Sequence, residues 1–398
     1  MTRSVIVSAV RTPVGRYGAG LRCRSAVDLG AVAIRDAIAR AGVPAAAVDW
    51  VVMGHVLQAG AGQNPARQAA IAGGVPREAP AITLNNVCLS SLTALGMADQ
   101  MIRAGEVEMV VAGGMESMTN APYLLPTLRW GAGVDGAQTV DAMMHDGLWS
   151  TFSGQLMGES SDEVNAALGI SREEQDAWAA RSHQRANDAW SSGRFAQEVV
   201  PVEGESQSTT TIERDEGIRP TTTPESLAEL LPAFTATGTI TAGNASQLAD
   251  GAAAVVVTSA DLAERLGLEP LAEIVATAMC ADDFPCLHTV PAIALEKALN
   301  RARLSVDDLG VVEINEAFAS VAVHANHLLG LDEEIVNVNG GSVALGHALG
   351  STGARMAVTL VHEMRRRGAN YAAATLCGGG GQGYAVILRR PGGLGKSA

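Results

Sequence analysis

Two hydrophobic patterns alternate along the chain, namely short continuous apolar runs and longer amphipathic stretches. Between the first two runs, DLGAVAIRDAIARAG predicts a helix that Asp28 caps and Gly42 ends. The alternation predicts an α/β protein with a mostly parallel sheet that helices cover on both faces. The apolar runs that predict buried strands are SVIVSAV, DWVVMGHVL, AITLNNV and VEMVVAGGM in the first third, and LGVVEINEA, EIVNVNGG, YAAATLCGGGG and GYAVILRR in the last.

The first and last thirds resemble each other. NNVCLSSLTALGMADQMIRAG followed by VEMVVAGGM is echoed by GHALGSTGARMAVTLVHEMRRRG followed by YAAATLCGGGG. The helix-ending glycines Gly105 and Gly368 lie 263 positions apart, and the same offset carries Cys88 to Ser351. Chance similarity between two α/β segments is the alternative, and the shared register counts against it. We therefore expect two similar halves that meet face to face.

The middle of the chain differs from both ends. It contains Pro and Thr clusters, a polar run, and a helix start at Ser171 with Glu174 three residues on, which is a capping box. The pattern predicts an insertion in the first half, and long insertions in α/β proteins usually bear binding surfaces. The expected units are a first half of residues 1–119 and 249–270, an inserted domain of residues 120–248, and a second half of residues 271–398.

Composition narrows the class of protein. The 398 residues are 47% hydrophobic and carry a net charge of −14, which argues against a nucleic-acid or membrane-surface binder. No apolar stretch reaches spanning length without Gly, Pro or charge, so we expect no membrane helix. The five cysteines are scattered with no CxxC pair, which predicts free thiols in a reduced, cytoplasmic setting.

Cys88 is the first candidate for chemistry. It follows the strand pattern AITLNNV and precedes a helix pattern, so its thiol is expected at a strand-to-helix elbow. Backbone N–H groups at a helix start stabilise a thiolate and lower the pKa of the thiol. The alternative is a small buried hydrophobic residue, which cysteine often is. From this position alone the two interpretations are equally supported.

Two further residues lie beside glycine-rich backbone. Cys377 ends a strand pattern and is followed by four glycines, Gly378 to Gly381, whose N–H groups could bind a developing oxyanion. A flexible turn is the alternative. His347 has glycines on both sides, and a neutral imidazole near a thiol could accept its proton.

The remaining polar candidates are weaker. Asn315, in EINEAFAS, follows a buried strand, where it could hold a water or a carbonyl or simply cap a helix. His324 and His327 could share a helix face, but no third ligand is near, so no metal site is expected. His183 and His362 lie in charged helices and are expected to face solvent.

Together these motifs closely resemble the thiolase family, and the match covers essentially the whole chain. NNVCLSSLTAL resembles the nucleophile motif, NEAF the asparagine motif, GGSVALGH the histidine motif and CGGGGQG the second cysteine motif. Four motifs in the right order and spacing are highly specific. The resemblance implies a duplicated thiolase-like αβαβα layered core with an inserted α+β loop domain that binds CoA, assembled as a homodimer or homotetramer.

The resemblance also implies catalytic roles. Cys88 would attack an acyl-CoA carbonyl and carry the acyl group as a thioester, and His347 would accept the Cys88 proton. Cys377 would deprotonate acetyl-CoA at its methyl carbon, or protonate the leaving enolate in cleavage. One oxyanion site would combine His347 with a water held by Asn315. The other would use the N–H groups of Cys88 and Gly379.

No permanently bound cofactor is implied, because CoA and acetyl-CoA are substrates. Among the implied CoA contacts, Arg219 suits the adenine or phosphate end, Ser246 the pantetheine arm, and Met157 and Leu148 the pantetheine and acyl region. The full set of implied CoA contacts is Arg219, Ser226, Phe234, Ala242, Ser246, Met157, Leu148 and Phe318.

The chain departs from the family pattern at two positions. Ala348 replaces the usual proline after the motif histidine, and Leu156 replaces a histidine common in short-chain biosynthetic thiolases. The stretch DFPCLHTVP resembles instead the DFP-containing acetoacetyl-CoA thiolases. Acetyl-CoA C-acetyltransferase activity is therefore the first hypothesis. The alternatives are a degradative thiolase for longer or branched 3-ketoacyl-CoA, a decarboxylating condensing enzyme of the ketoacyl synthase type, and a non-catalytic acyl-CoA binding protein.

Overall fold

A computed structural model describes residues 2–133, 136–204, 210–283 and 286–392. The main strands are β1 Ser4–Arg11, β2 Trp50–Gly54, β3 Ala81–Leu84, β4 Met109–Ser117, β5 Ala249–Ser259, β6 Ala272–Ala281, β7 Leu309–Ile314, β8 Tyr371–Gly378 and β9 Gln382–Arg389. The helices are α1 Ala26–Ala41, α2 Pro65–Ala72, α3 Ser90–Ala104, α4 Met157–Leu168, α5 Arg172–Ser191, α6 Pro224–Ala228, α7 Ala260–Leu266, α8 Val290–Ala302, α9 Ala319–Leu329, α10 Ser342–Leu345 and α11 Thr352–Arg367. Two-residue strands lie at Gly15–Arg16, Tyr123–Leu124, Val140–Asp141, Trp149–Ser150 and Gln155–Leu156.

The nine strands are hydrogen-bonded in the order β7-β8-β9-β6-β1-β5-β4-β2-β3. Only β2 with β3, β2 with β4, and β7 with β8 pair in parallel. The other neighbours are antiparallel, so the prediction of a mostly parallel sheet was wrong. The connections between strands explain this difference. Parallel neighbours need a crossover connection, whereas only a three-residue glycine turn joins β8 to β9, so these two strands run antiparallel. The strands β4 and β5 are separated by the long insertion, after which the chain returns in the opposite direction.

The sheet order repeats about the β1–β6 contact, as the predicted duplication requires. Reading outward, β1, β5, β4 and β2 on one side correspond to β6, β9, β8 and β7 on the other. The first half ends with the additional strand β3, and in its place the second half has the single bridge between Val312 and Val336. Helices α3 and α11 pack on each other between the two halves, while α1 and α8 pack on the outer faces. The two central helices meet at their starts, where the Ala354 N–H donates to Ser91 Oγ at 2.9 Å. This is the duplicated αβαβα layering that the motifs implied.

The insertion adds α4, α5 and α6 and two small hairpins to the first half. Its long helix α5 begins with the predicted capping box of Ser171 and Glu174. Buried Arg11 ties the region to the core, because its guanidinium contacts Asp215 at 2.7 Å and Glu198 at 2.6 Å. A buried arginine paired in this way fixes the positions of the two segments that carry Glu198 and Asp215. The exact domain limits stay a prediction.

Several local expectations were wrong. Helix α1 is capped by Ser25, with Asp28 completing a capping box three residues later, and it ends at Gly42 as expected. EIVNVNGG forms a 3-10 turn at Glu333–Ile335 followed by a single bridge to β7 instead of a strand. Of the two histidines expected at the surface, only His362 retains exposure. His183 is buried and accepts a hydrogen bond from the Arg219 N–H, whereas His362 is half-buried and its Nε2 lies 2.9 Å from the Ala9 carbonyl oxygen.

Candidate active site

Cys88 lies at the elbow between β3 and α3, two residues before the helix begins. Val87 has a φ of 49°, the left-handed region that β-branched residues rarely adopt. The Asn85 side chain accepts the Val87 N–H at 3.0 Å and so supports this turn. Strained backbone of this kind costs about 1–3 kcal/mol and is typical of active sites. The local strain therefore presents the Cys88 thiol to the interior of the molecule.

Cys88, His347 and Cys377 line one cleft of about 800 Å³. They come from the first half, from the loop before α11 and from the end of β8, respectively. The remaining walls are mostly apolar and hold Leu156, the departure noted above. The other lining residues are Val87, Met118, Met144, Gly147, Leu148, Met157, Gly158, Phe234, Ala245, Ser246, Gln247, Leu248, Leu287, Ala317, Phe318, Leu349, Gly378 and Gly379.

The surroundings of Cys88 do not acidify its thiol. Burial raises its pKa to about 12, although the N–H groups of Cys88 itself and of Gly379 favour the thiolate, and Glu116 adds a smaller unfavourable charge. The expected lowering by the helix start was therefore wrong in direction. Desolvation by the surrounding apolar walls outweighs the two backbone donors. A thiolate must form together with the transfer of its proton to a neighbouring base.

Cys377 ends β8 within the same cleft. Burial and the nearby Cys88 sulfur raise the pKa of Cys377 well above its usual range, so it also holds its proton. Two of the following glycines, Gly378 and Gly381, are required by space. A Cβ on Gly378 would lie 2.6 Å from Leu89 Cγ, and Gly381, at a φ of 69°, would place one 2.6 Å from the Asp282 carbonyl oxygen. The Gly379 N–H that points at Cys88 belongs to this turn.

His347 is buried in the cleft as a neutral imidazole. Burial and the nearby Arg355 guanidinium lower the pKa of His347 to about 3. Its Nδ1 lies 2.8 Å from Thr352 Oγ1, and among the described residues its Nε2 has no hydrogen-bond partner. Its backbone N–H donates to the Gln247 carbonyl at 2.9 Å. The free Nε2 of the neutral imidazole can accept a thiol proton, and a pKa of about 3 makes it a weak base for that step.

Asn315 lies directly after β7 and is fully buried. Its Oδ1 accepts the Ser342 hydroxyl at 2.7 Å, and its Nδ2 has no partner within the described part of the chain. Ser342 in turn lies 3.3 Å from Arg355, which pairs with Glu313 at 3.0 Å. This chain fixes the amide orientation, so Nδ2 is the atom that can donate to a water or a ligand. Helix α9 begins four residues later, so Asn315 is not a helix cap.

A buried carboxylate braces the loop that carries His347. Glu116 accepts the N–H groups of Val56 at 3.0 Å, Leu57 at 3.1 Å and Gly350 at 2.8 Å, and His55 Nε2 lies 3.3 Å away. A carboxylate with several backbone donors is a rigid anchor. It holds the start of α11 against the segment after β2.

The implied CoA contacts divide into two groups. Leu148, Met157, Phe234, Ser246 and Phe318 line the cleft, and the Phe234 and Phe318 rings meet edge to face at 6.0 Å. The other three, Arg219, Ser226 and Ala242, are exposed and lie outside the lining. This division fits a CoA molecule that places its nucleotide end at the surface and its pantetheine arm in the cleft.

Other groups that could carry function are not brought together. Within the described residues, no group of three or more His, Cys, Asp or Glu side chains could hold a metal ion. The same residues include no helix that is both long and apolar enough to cross a membrane. The DFP element of DFPCLHTVP lies partly outside the described residues, at Phe284 and Pro285.

Sequence reasoning missed several residues of the site. Gln247, Thr352 and Glu116 hold residues 346–351, the histidine loop. Gln247 and Glu116 contact this loop from far away in sequence, whereas Thr352 lies five residues from its partner His347. Glu116 lies in GGMESMTNAPY and Gln247 in TITAGNASQLADGAAA, two stretches that also resemble the family, and this resemblance was the available signal. Thr352 carries no local signal of its own.

Comparison with known proteins agrees with this arrangement. Residues 4–261 match the model of the thiolase N-terminal domain, and residues 268–390 match that of the thiolase C-terminal domain. The chain therefore belongs to the thiolase family. It is 51% identical, over 97% of its length and all of the relative's, to a probable acetyl-CoA acetyltransferase of Mycolicibacterium smegmatis. It is 47% identical, over 97% of its length and 99% of the relative's, to an acetyl-CoA acetyltransferase of Pseudomonas aeruginosa.

Proposed function

We propose that the protein is an acetyl-CoA acetyltransferase, which interconverts two acetyl-CoA with acetoacetyl-CoA and CoA through an S-acetyl intermediate on Cys88. The observation that carries this proposal is the shared cleft of Cys88, His347 and Cys377. The names of the relatives support acetyl transfer as the reaction. A second thiol beside the nucleophile supports deprotonation of acetyl-CoA without decarboxylation.

In the cleavage direction, His347 Nε2 accepts the Cys88 proton as the sulfur attacks the 3-keto carbon of acetoacetyl-CoA. The bond between C2 and C3 then breaks, and its electron pair leaves as the enolate of acetyl-CoA. Cys377 donates its proton to that carbon and becomes a thiolate. The first acetyl-CoA departs, and the acetyl group stays on Cys88 as a thioester.

CoA completes the cycle. The Cys377 thiolate accepts the proton of the CoA thiol, whose sulfur attacks the acetyl thioester. Cys88 leaves as a thiolate and recovers its proton from protonated His347, so that all groups return to their starting state. Condensation is the same path in reverse.

Two sets of donors stabilise the negative oxygens of this path. The N–H groups of Cys88 and Gly379, which point at the Cys88 sulfur, serve the tetrahedral intermediate on that sulfur. His347 and a water held by Asn315 Nδ2 serve the enolate oxygen. One preorganised donor is typically worth about 3 kcal/mol in the transition state.

The test is cleavage of acetoacetyl-CoA by CoA with purified protein, followed by loss of the enolate absorbance. We expect turnover by the native protein and none by Cys88→Ala. The control is Cys23→Ala, because Cys23 is exposed and lies outside the cleft lining. An inactive native protein, or activity that survives Cys88→Ala, would refute the proposal. Turnover of malonyl-CoA would favour the ketoacyl synthase type instead.

A second candidate is a degradative thiolase for longer or branched 3-ketoacyl-CoA. The apolar side chain of Leu156 on the cleft wall favours it, because an apolar wall accepts extra methylene groups. Cleavage rates for 3-ketoacyl-CoA substrates of increasing chain length decide between the two. A strong preference for long chains would displace the acetyl-specific reaction. Stable acyl-CoA binding without turnover of any substrate would favour the binding-protein alternative.

We also propose that the enzyme is a cytoplasmic homodimer or homotetramer, as the family resemblance implies. Light scattering on the purified chain distinguishes these assemblies from a monomer. Cell fractionation tests the location.

A further inference from the structure

Gln247 occupies the point where three segments of the cleft meet. Its side-chain amide nitrogen lies within hydrogen-bond distance of three carbonyl oxygens, those of Gly217 at 2.9 Å, Val343 at 3.0 Å and Ala344 at 3.2 Å. Its own carbonyl accepts the backbone N–H of His347 at 2.9 Å. One residue therefore contacts the histidine loop through both its side chain and its main chain.

The carbonyls of Val343 and Ala344 lie in a short buried segment, in which Glu316 accepts the Val343 N–H and Asn315 accepts the Ser342 hydroxyl. Val343 and Ala344 lie in the four-residue helix α10, which is too short to pair its own carbonyls internally. Gly346 follows with a φ of 110°, a conformation open to glycine alone. At Ala348 the chain lacks the fixed ring of a proline. The backbone of His347 thus depends on hydrogen bonds for its position.

The third carbonyl connects the histidine loop to the exposed edge of the cleft. Gly217 lies two residues before Arg219, one of the implied CoA contacts. A Cβ on Gly217 would lie 2.7 Å from the Ala344 carbonyl oxygen and 2.9 Å from Gln247 Nε2. The two segments are therefore packed too closely for a side chain, and the Gln247 amide bridges them.

We propose that Gln247 is a positioning residue, which sets the imidazole of His347 relative to Cys88 and couples it to the Arg219 segment. This inference rests on the proposed function. Loss of the amide donor would leave three carbonyls without it and let the His347 backbone shift. A shift of about 1 Å in a catalytic group slows a reaction by up to roughly 100-fold.

The main test is Gln247→Met, which keeps the length of the side chain and removes the donor. The readouts are the rate of Cys88 acetylation by acetyl-CoA, measured by mass spectrometry, and the KM for CoA. We expect acetylation to slow by about tenfold or more and the KM to rise several-fold. Gln68→Met is the matched control, because the Gln68 amide bonds two loop carbonyls, of Ala61 and Gln63, outside the cleft lining.

Two further variants separate positioning from general stability. Gly217→Ala should reproduce both effects, because its methyl group pushes the same contacts apart without altering Gln247. Gln247→Glu should acetylate slowly above neutral pH, where its carboxylate faces three carbonyl oxygens, and faster as the pH falls and the acid regains a proton to donate. A merely structural role would not produce this pH profile.

Hydrogen exchange of residues 343–348 provides a readout that needs no acyl-CoA. We expect faster exchange in Gln247→Met and native exchange in Gln68→Met. Unchanged exchange overturns the proposal, and so does faster exchange with native acetylation per folded molecule. If the native protein is never acetylated, the proposed function fails, and with it the catalytic role of Gln247. The exchange result then still reports whether Gln247 holds the loop.

Discussion

The Nδ1 atom of His347 lies 2.8 Å from Thr352 Oγ1, which lies 3.2 Å from the carbonyl oxygen of Ala348. We infer that the hydroxyl donates its single hydrogen to that carbonyl and accepts the N–H of Nδ1. This arrangement selects the tautomer with its proton on Nδ1 and leaves Nε2 as the basic nitrogen. Thr352 therefore determines which nitrogen can accept the Cys88 proton.

Thr352→Val should lower kcat for cleavage of acetoacetyl-CoA by about tenfold to 100-fold, because the base loses its fixed tautomer. Steady-state kinetics measure the effect. Thr359→Val is the control, since Thr359 lies on the same helix but bonds Glu198. That variant should lose stability and keep its kcat. Equal kcat values for Thr352→Val and the native enzyme would contradict the proposed tautomer selection.

The raised pKa of Cys88 predicts how the free enzyme reacts with iodoacetamide. A thiol with a pKa of about 12 is protonated at neutral pH, and only its thiolate attacks. The rate of Cys88 alkylation should therefore climb continuously from about pH 7 to about pH 10. Peptide mass spectrometry separates Cys88 from the exposed Cys23. A plateau near neutral pH would mean that the thiolate already exists, against the desolvation argument.

Gly114 allows β4 to approach the loop before α11. A Cβ there would overlap the Gly350 carbonyl oxygen and lie 2.6 Å from Ser91 Cβ. We expect Gly114→Ala to destabilise the protein by about 3 kcal/mol or more, because backbone must move to accept the methyl group. Urea unfolding measures this change. Gly133→Ala is the control, since a Cβ at that position meets no atom within 4 Å and should leave the midpoint unchanged.

Buried histidines predict a loss of stability in mild acid. Burial lowers the pKa of His288 from 6.5 to about 3, so the folded protein keeps it neutral while the unfolded chain binds a proton below about pH 6.5. The unfolded state then binds more protons, and the free energy of unfolding falls as the pH falls. From neutral pH to about pH 5, one such histidine contributes a loss of about 2 kcal/mol.

The measurement compares urea unfolding at neutral pH and at about pH 5 in the native protein and in His288→Gln. The variant should lose about 2 kcal/mol less than the native protein over this interval. His145→Gln is the control, because the side chain of His145 is 57% exposed and its replacement should not change the loss. Equal losses in all three proteins would show that His288 does not contribute.

Local signals were enough to predict the elbow of Cys88 and the glycine turn after Cys377. In both cases an apolar run ends and the residues that follow have a strong conformational preference. The start of α1 was predicted less well, because Ser25 and Asp28 are both good caps and each takes part in the same capping box. The existence of α1 could be predicted from the sequence, but its first residue could not.

Contacts between distant segments were beyond local signals. The antiparallel neighbours of β1 and β5 depend on where the chain returns after long connections, which the apolar runs do not encode. His183 lies in a polar helix, yet tertiary packing buries it under the Arg219 segment. The direction in which the pKa of Cys88 shifts likewise depends on the depth of the cleft, and only the assembled walls determine that depth.

The two similar halves of the chain supply different reactive groups to the cleft. The duplicated register that carries Cys88 to Ser351 also makes α3 and α11 adjoin at Ser91 and Ala354. Each half has one such helix start, and the first half carries a thiol there while the second half supplies a thiol from a strand end. The two-thiol cleft of this chain therefore needs two halves that are similar in fold but different in chemistry.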